Sequence, residues 1–402
     1  MIGPHIPGVY AGEPHTPLYD GGMPVSPRLL LALCSVLLLG GVSPTRTELR
    51  GVARSPELTR LNTPYRGVDA SFVLEYERAG MIYRDENGDP ADPLRLMADH
   101  GANLLRLRLF TDKPSGHGSL SDGLVLARRA KALGMDLLLD FHYSDDWADP
   151  GKQFVPAAWA GLTGVDLEDA LWLHTFTVLE AFEAQGTPPQ LVQIGNEVSN
   201  GMLWPFGSWN SSGWEAFTNL LKAGIDATET ALPAELRPKV IIHHDKGANT
   251  GATSWFFDNL VSRGVAFDVV GLSYYPWWHG SFADMRRTTG TLAERYARPV
   301  MIVETAYPWS LGWQDSQNNF VWQTSQLEPR FSATSEGQTQ FLDALSRTLE
   351  RIPEHRGLGW CYWAPEFVAH PGLPSPWENL ALFDFSGSAL PAMEAFAPPR
   401  PR

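Results

Sequence analysis

The chain has 402 residues, 44% of them apolar and 19% charged, with no long polar low-complexity tract, which is the composition of a globular protein with ample material for one large core. Its formal net charge of −14 argues against nucleic acid as a partner, because that binding rests on Lys and Arg neutralising phosphates, whereas a neutral sugar polymer tolerates an acidic surface. Length alone admits either two domains or one α/β barrel with insertions, so the order of elements has to decide.

The first element in chain order is the apolar run Leu29 to Gly41 after Arg28, too short for a comfortable membrane span and suited to the h-region of a signal peptide. Export is therefore expected, with an uncleaved signal anchor as the alternative reading. The long stretch before the run contains Met23, which is read as the natural start, and cleavage is placed between Gly40 and Ala53. Leu33 before Cys34 does not suit a lipid anchor. Removal of Cys34 leaves Cys361 as the single cysteine, so no internal disulfide is expected. The expected layout is an extension with signal peptide over 1–43, a linker over 44–63, a catalytic domain over 64–397 and a frayed tail over 398–402.

From residue 64 onward, β-rich runs alternate with amphipathic helical stretches, the signature of βαβ units and a parallel sheet. The strands are placed at Tyr65 to Ala70, Asn103 to Phe110, Met135 to His142, Leu191 to Glu197, Val240 to His244, Phe267 to Tyr274, Val300 to Thr305 and Gly359 to Trp363. Helices between them include Ser121 to Leu133, Leu167 to Ala184 and Glu336 to Arg351, with a short last one near Leu390 to Phe396. Eight such repeats close into a (β/α)8 TIM barrel forming a single catalytic domain. A doubly wound sheet is the alternative, but it does not explain why the informative residues fall at so many C-terminal strand ends, which in a barrel share one rim.

Two of those ends carry glutamates: Leu191-Val192-Gln193-Ile194 leads to Gly195-Asn196-Glu197, and Val300-Met301-Ile302-Val303 leads to Glu304. One strand-end Glu is ordinarily a solvated turn residue or an ion-pair partner. Two, each with flanking aromatics and one preceded by Asn, suggest a glycosidase, whose retaining form needs an acid/base and a nucleophile roughly 5 to 5.5 Å apart. The other strand ends supply the expected substrate-binding set: Asp69, Arg106, Arg108, His142, Asp145, Trp147, Asn196, His243, Tyr274, Trp277, His279 and Trp363.

The chemistry assigns these residues tasks. A nucleophilic carboxylate must be ionised while its partner keeps a proton, so Arg106, with Arg108 second, is expected to hold the charge on Glu304, and the Tyr274 hydroxyl to hydrogen-bond it. Asn196 is expected at the sugar 2-hydroxyl, where a contact strengthens in the transition state. All 15 tryptophans lie at or after position 147, many of them in strand-to-helix loops, where an indole covers the apolar face of a sugar ring and neighbouring histidines bond its hydroxyls. His243 and His244 with Asp245 do not make a zinc site, since adjacent strand residues point to opposite faces. Asp315 with Asn318 in the loop after strand seven offers oxygens of the kind calcium takes. Dinucleotide, P-loop and serine-hydrolase motifs are absent from the sequence.

These residues resemble the endo-β-1,4-galactanases of glycoside hydrolase family 53, retaining (β/α)8 glycosidases, from about Arg66 to Phe396. The likeness runs through Gly67-Val68-Asp69-Ala70-Ser71, Asp140-Phe141-His142-Tyr143-Ser144-Asp145, Gln193-Ile194-Gly195-Asn196-Glu197, Ser273-Tyr274-Tyr275-Pro276-Trp277-Trp278-His279 and Val303-Glu304-Thr305-Ala306-Tyr307. It implies Glu197 as acid/base, Glu304 as nucleophile and β-1,4-galactan, as in type I arabinogalactan and pectin side chains, as substrate. It also admits a structural calcium, of the kind bacterial members hold between the last two strand loops; with the signal segment, the expectation is a secreted enzyme, monomeric and requiring no cofactor. One departure is Trp363-Ala364-Pro365-Glu366, where the family tends to carry Trp-Glu-Pro, so the rim contacts there are open. The same barrel acting on mannan or cellulose, or serving as a non-catalytic carbohydrate-binding protein, are the alternatives.

Overall fold

The computed structural model describes residues 64–111, 113–114 and 116–398. The expected start at Met23, the signal segment with Cys34, the linker over 44–63 and most of the tail lie outside the described residues. Among the described residues no helix is long and apolar enough to cross a membrane.

Eight parallel strands form a barrel: β1 Tyr65–Asp69, β2 Leu104–Leu109, β3 Asp136–Phe141, β4 Leu191–Ile194, β5 Lys239–His244, β6 Val269–Tyr274, β7 Val300–Thr305 and β8 Gly357–Trp363. They pair in chain order and β1 closes on β8, which rules out the doubly wound alternative. Helices run over Leu120–Ala132, Gly164–Ala184 and Ser335–Glu350, within a few residues of their expected bounds. Ser119 and Thr334 begin the first and last of these by accepting backbone N–H groups of the opening turn, satisfying donors the helix itself cannot. The expected last helix is a 3₁₀ turn, Pro391–Phe396, with Phe396 stacked on Trp360 of β8.

Strand alternation explains how the barrel can be apolar at one end and charged at the other. In the Leu-Leu-Arg-Leu-Arg-Leu sequence of β2, Leu104 points inward to join Tyr65, Leu138, Leu191, Ile241, Val269, Met301 and Cys361 in a buried floor. Leu109, on the other face, meets the helix Leu120–Ala132. Farther along the same inward faces come Asp69, Arg106, Asp140, Gln193, His243 and Ser273, all buried. The interior therefore passes from hydrocarbon to a hydrogen-bonded polar layer at the C-terminal mouth.

β4 is shorter than expected. Instead of running to Glu197 it stops at Ile194, because Gly195 takes φ +80° and Glu197 itself φ +46°, both left-handed. A side chain at Gly195 would meet Val198 at 2.5 Å as well as the unfavourable φ, so only glycine fits the turn.

Candidate active site

The two glutamates meet over the polar layer, each with its own support. Arg106 is the hub. Its guanidinium bonds Asp69 at 2.6 Å, Asp140 at 2.8 Å and Glu304 at 2.8 Å, and it also donates to Asn196 Oδ1 at 3.0 Å. Glu304 receives a second bond from the Tyr275 hydroxyl at 3.2 Å. Glu197 accepts from Ser273 Oγ at 2.5 Å.

The electrostatics separate the pair. Burial pushes Glu197 well above the usual carboxylate range, with the nearby charges of Glu304 and Asp245 adding to the effect. Burial also raises Glu304, to about 7, but here the Arg106 cation opposes it. Charge therefore settles first on Glu304, and once there it makes the second ionisation harder, so Glu197 is the proton holder. One carboxylate beside a cation and one half-buried carboxylic acid without such a partner are what general-acid chemistry with a nucleophile requires.

Aromatic rings wall the mouth. Trp147 lies 5.8 Å from Trp363, which meets Trp377 edge-on at 4.6 Å, and Trp377 contacts Tyr275 and Trp277. Arg108 does not serve Glu304. It is buried under this wall, its guanidinium carbon 3.9 Å from the Trp147 ring centre and 4.6 Å from that of Phe72, a cation held by ring faces. Phe72 is pinned in turn by the Glu366 carboxylate, which accepts its N–H at 2.8 Å. Glu366 is thus fully buried behind the site and is no rim contact.

Of the other expected residues, Asp69 sits on Arg106, and Trp147, Trp277 and Trp363 belong to the wall. Asn196 lies beside Glu197 but spends its amide on Ala148 O and its oxygen on Arg106. Two histidines are committed within the protein instead of presented to sugar. His142 bonds Asp140 at 3.0 Å and accepts the Ala148 N–H at 2.9 Å, while His243 is fully buried between Gln193 and Ser273. His279 accepts the Tyr275 N–H and so props the tyrosine. Asp145 holds the loop by accepting the Ala157 N–H. His244 packs on Phe256 and Phe257, on the opposite face from His243, as strand geometry demands.

Tyr274 is a correction. It faces the helices, stacking on Phe341 and donating to Gly280 O, and the hydroxyl at Glu304 belongs to Tyr275. Sequence reasoning also misses Ser273, Gln193 and Asp140 as site residues. The period of two, counted inward from Leu191 and Leu138, picks out Gln193 and Asp140, and counted from Val269 it picks out Ser273 and then Tyr275.

At the position expected for calcium the residues are engaged within the protein or exposed. Both oxygens of Asp315 already accept backbone N–H groups, from Gln317 at 2.6 Å and Ser375 at 2.7 Å, and Asn318 is exposed. Among the described residues no group of three His, Cys, Asp or Glu side chains is placed to hold a metal.

The sequence model of Glycosyl hydrolase family 53 matches residues 65–396. The arabinogalactan endo-beta-1,4-galactanase of Cellvibrio japonicus is 37% identical over 350 residues, covering 83% of this chain and 91% of that protein. The enzyme of the same name from Humicola insolens is 32% identical over 341 residues, covering 83% and 98%. Among solved structures, the Ignisphaera aggregans GH53 catalytic domain superposes with a TM-score of 0.76 at 37% identity, over 82% of this chain and 94% of that one. With a match that spans the barrel from its first strand to its last turn, the chain belongs to glycosyl hydrolase family 53.

Proposed function

We propose that the protein is a secreted, endo-acting galactanase that cleaves β-1,4-galactosidic linkages in galactan and type I arabinogalactan by double displacement. The observation that carries the mechanism is the unequal support of the two glutamates, Glu304 on the Arg106 cation and Glu197 without one. The substrate rests on the galactanases to which the chain is similar.

In the first step a Glu304 oxygen bonds the anomeric carbon while the C–O bond to the leaving sugar breaks, and Glu197 gives its proton to the departing oxygen. Glu197, now a carboxylate, removes a proton from water, whose oxygen bonds the anomeric carbon and frees Glu304. Trp147, Trp363 and Trp277, each half-buried, supply flat apolar surfaces for the rings on either side, and the buried Trp377 backs Trp363 and Trp277. The enzyme acts as a monomer, and its chemistry calls for no metal because Glu197 and Glu304 supply acid, base and nucleophile between them.

The test is reducing-end release from linear β-1,4-galactan, with mannan and carboxymethyl cellulose alongside and with a parallel reaction in chelator. Release from galactan alone, undiminished by chelator, is expected. Glu304→Ala should lose this activity by several orders of magnitude while still binding galactan. Release from mannan or cellulose instead would move the substrate, and an active Glu304→Ala variant would remove the nucleophile.

A further inference from the structure

Glu197 is gripped at two points by one histidine. Its backbone N–H donates to His243 Nδ1 at 3.3 Å, and its Oε1 accepts from Ser273 Oγ, which lies 2.8 Å from His243 Nε2. Gln193 Nε2 brings a second donor to Nδ1 at 3.0 Å, its other hydrogen going to Asp140 at 2.5 Å. Asn196 Oδ1, also 3.0 Å from Nδ1, favours the opposite tautomer, but that oxygen already accepts from Arg106. Two donors against one engaged acceptor place the lone pair on Nδ1 and the ring proton on Nε2. Ser273 then accepts from Nε2–H, and its own hydroxyl hydrogen is left for Glu197 Oε1.

We propose that Ser273 and His243 are positioning residues that fix Glu197 so that Oε1 accepts from Ser273 in both protonation states and the transferable proton rides on Oε2. The inference rests on the reading of Glu197 as acid/base. In the step it serves, the Oε2–H bond breaks as the leaving oxygen takes the proton, and the pair from the broken glycosidic bond stays on that oxygen. Afterwards the Ser273 hydroxyl supports the new carboxylate. The groups facing Glu197 are Glu304 from β7, Asp245 after β5, Asp149 from the loop after β3, Tyr275 after β6 and neutral His243. The three carboxylates disfavour charge on Glu197, whereas the Ser273 hydroxyl favours it. The clamp also accounts for how a glutamate is kept at φ +46°.

Ser273→Ala tests this through the pH profile of kcat/KM on linear galactan. Without the hydroxyl, Glu197 holds its proton more tightly, so the alkaline limb should move up by about one pH unit. The value of kcat should fall roughly ten- to a hundredfold at little-changed KM, because the proton's place is no longer fixed. His243→Gln, which keeps an N–H toward Ser273, should move the limb the same way by less, and it serves if Ser273→Ala does not fold. A folded Ser273→Ala, or in its place His243→Gln, with the wild-type limb and kcat overturns the clamp. Glu197→Ala separates the two levels. If it is inactive and regains turnover with azide while Ser273→Ala behaves as wild type, only the clamp fails; if it is fully active, the acid/base reading falls and the clamp with it.

Discussion

Tyr274 and Tyr275 are adjacent, chemically identical and oppositely placed, one bonded to Gly280 O among the helices and the other to Glu304. Burial raises the hydroxyl pKa of both, so both are neutral donors at working pH, and only geometry distinguishes them. A hydrogen bond to a charged group contributes about 1.5–3 kcal/mol, so if the Tyr275 bond tightens as Glu304 leaves in the second step, its loss is roughly ten- to 150-fold in rate. Tyr275→Phe is therefore expected to lower kcat on galactan within that range, and Tyr274→Phe to leave kcat and KM where they are. Equal effects of the two changes would mean that the Tyr275 hydroxyl does not act on the nucleophile. The pair also marks what the sequence could say at this scale. That a tyrosine follows β6 and a cation follows from β2 is legible from residue type and strand position. Which of two neighbouring tyrosines turns inward depends on the strand's phase, which is fixed by Val269 entering the floor and the register with β7 shifting between Leu272 and Ser273.

Gly67 on β1 shows how the strands themselves are fitted to each other. A Cβ there would lie 2.6 Å from the Sγ of Cys361 on β8 and 3.2 Å from Leu104 on β2, so the glycine makes room for the cysteine in the barrel floor. Cys361 is buried and free, and burial raises its thiol pKa, so it packs as a small apolar side chain and not as a nucleophile. Gly67→Ala is expected to destabilise the protein by about 1–3 kcal/mol by overpacking, and Cys361→Ala, which removes the nearest atom, should recover part of that loss in the double variant. Strictly additive losses in chemical denaturation would show that the two positions do not compete for the same space. Strand and helix positions were legible because apolar runs and amphipathic stretches alternate so regularly, and seven of the eight strand ends needed only small adjustment. The end of β4 was not, because Leu191 to Glu197 reads as one apolar run into a carboxylate, while the turn at Gly195 depends on Val198 closing over it.

The whole barrel carries its acid chemistry as a pH-dependent load on stability. Burial raises Glu197, Glu304 and Glu366, the last to about 8, so the folded chain holds protons there that the unfolded chain releases above about 4.5. Their contribution is complete below that value and is lost as pH rises through the folded values. Desolvation pulls His174, His244 and His279 down to about 4, His244 being buried and the other two half-buried, so they act in the opposite sense, costing stability as pH falls from about 6.5. The two sets oppose each other between about 4.5 and 6.5, and above that the carboxyls still titrate, joined near pH 9 by the buried Cys361 thiol, whose raised pKa acts in the same sense, so the melting temperature should decline from near neutrality toward alkaline pH. Glu366 isolates the effect because it supports Phe72 behind the site and does not touch the reacting atoms. Glu366→Gln keeps an oxygen for the Phe72 N–H and cannot ionise. It should melt with wild type near pH 5 and progressively above it from pH 6 to 9. Each pH unit between the two pKa values is about 1.4 kcal/mol, which bounds the gain at a few kcal/mol. Melting curves of the two proteins that run parallel across this range would show that Glu366 ionises freely in the fold and that the alkaline decline arises at other groups, the catalytic pair and Cys361 among them.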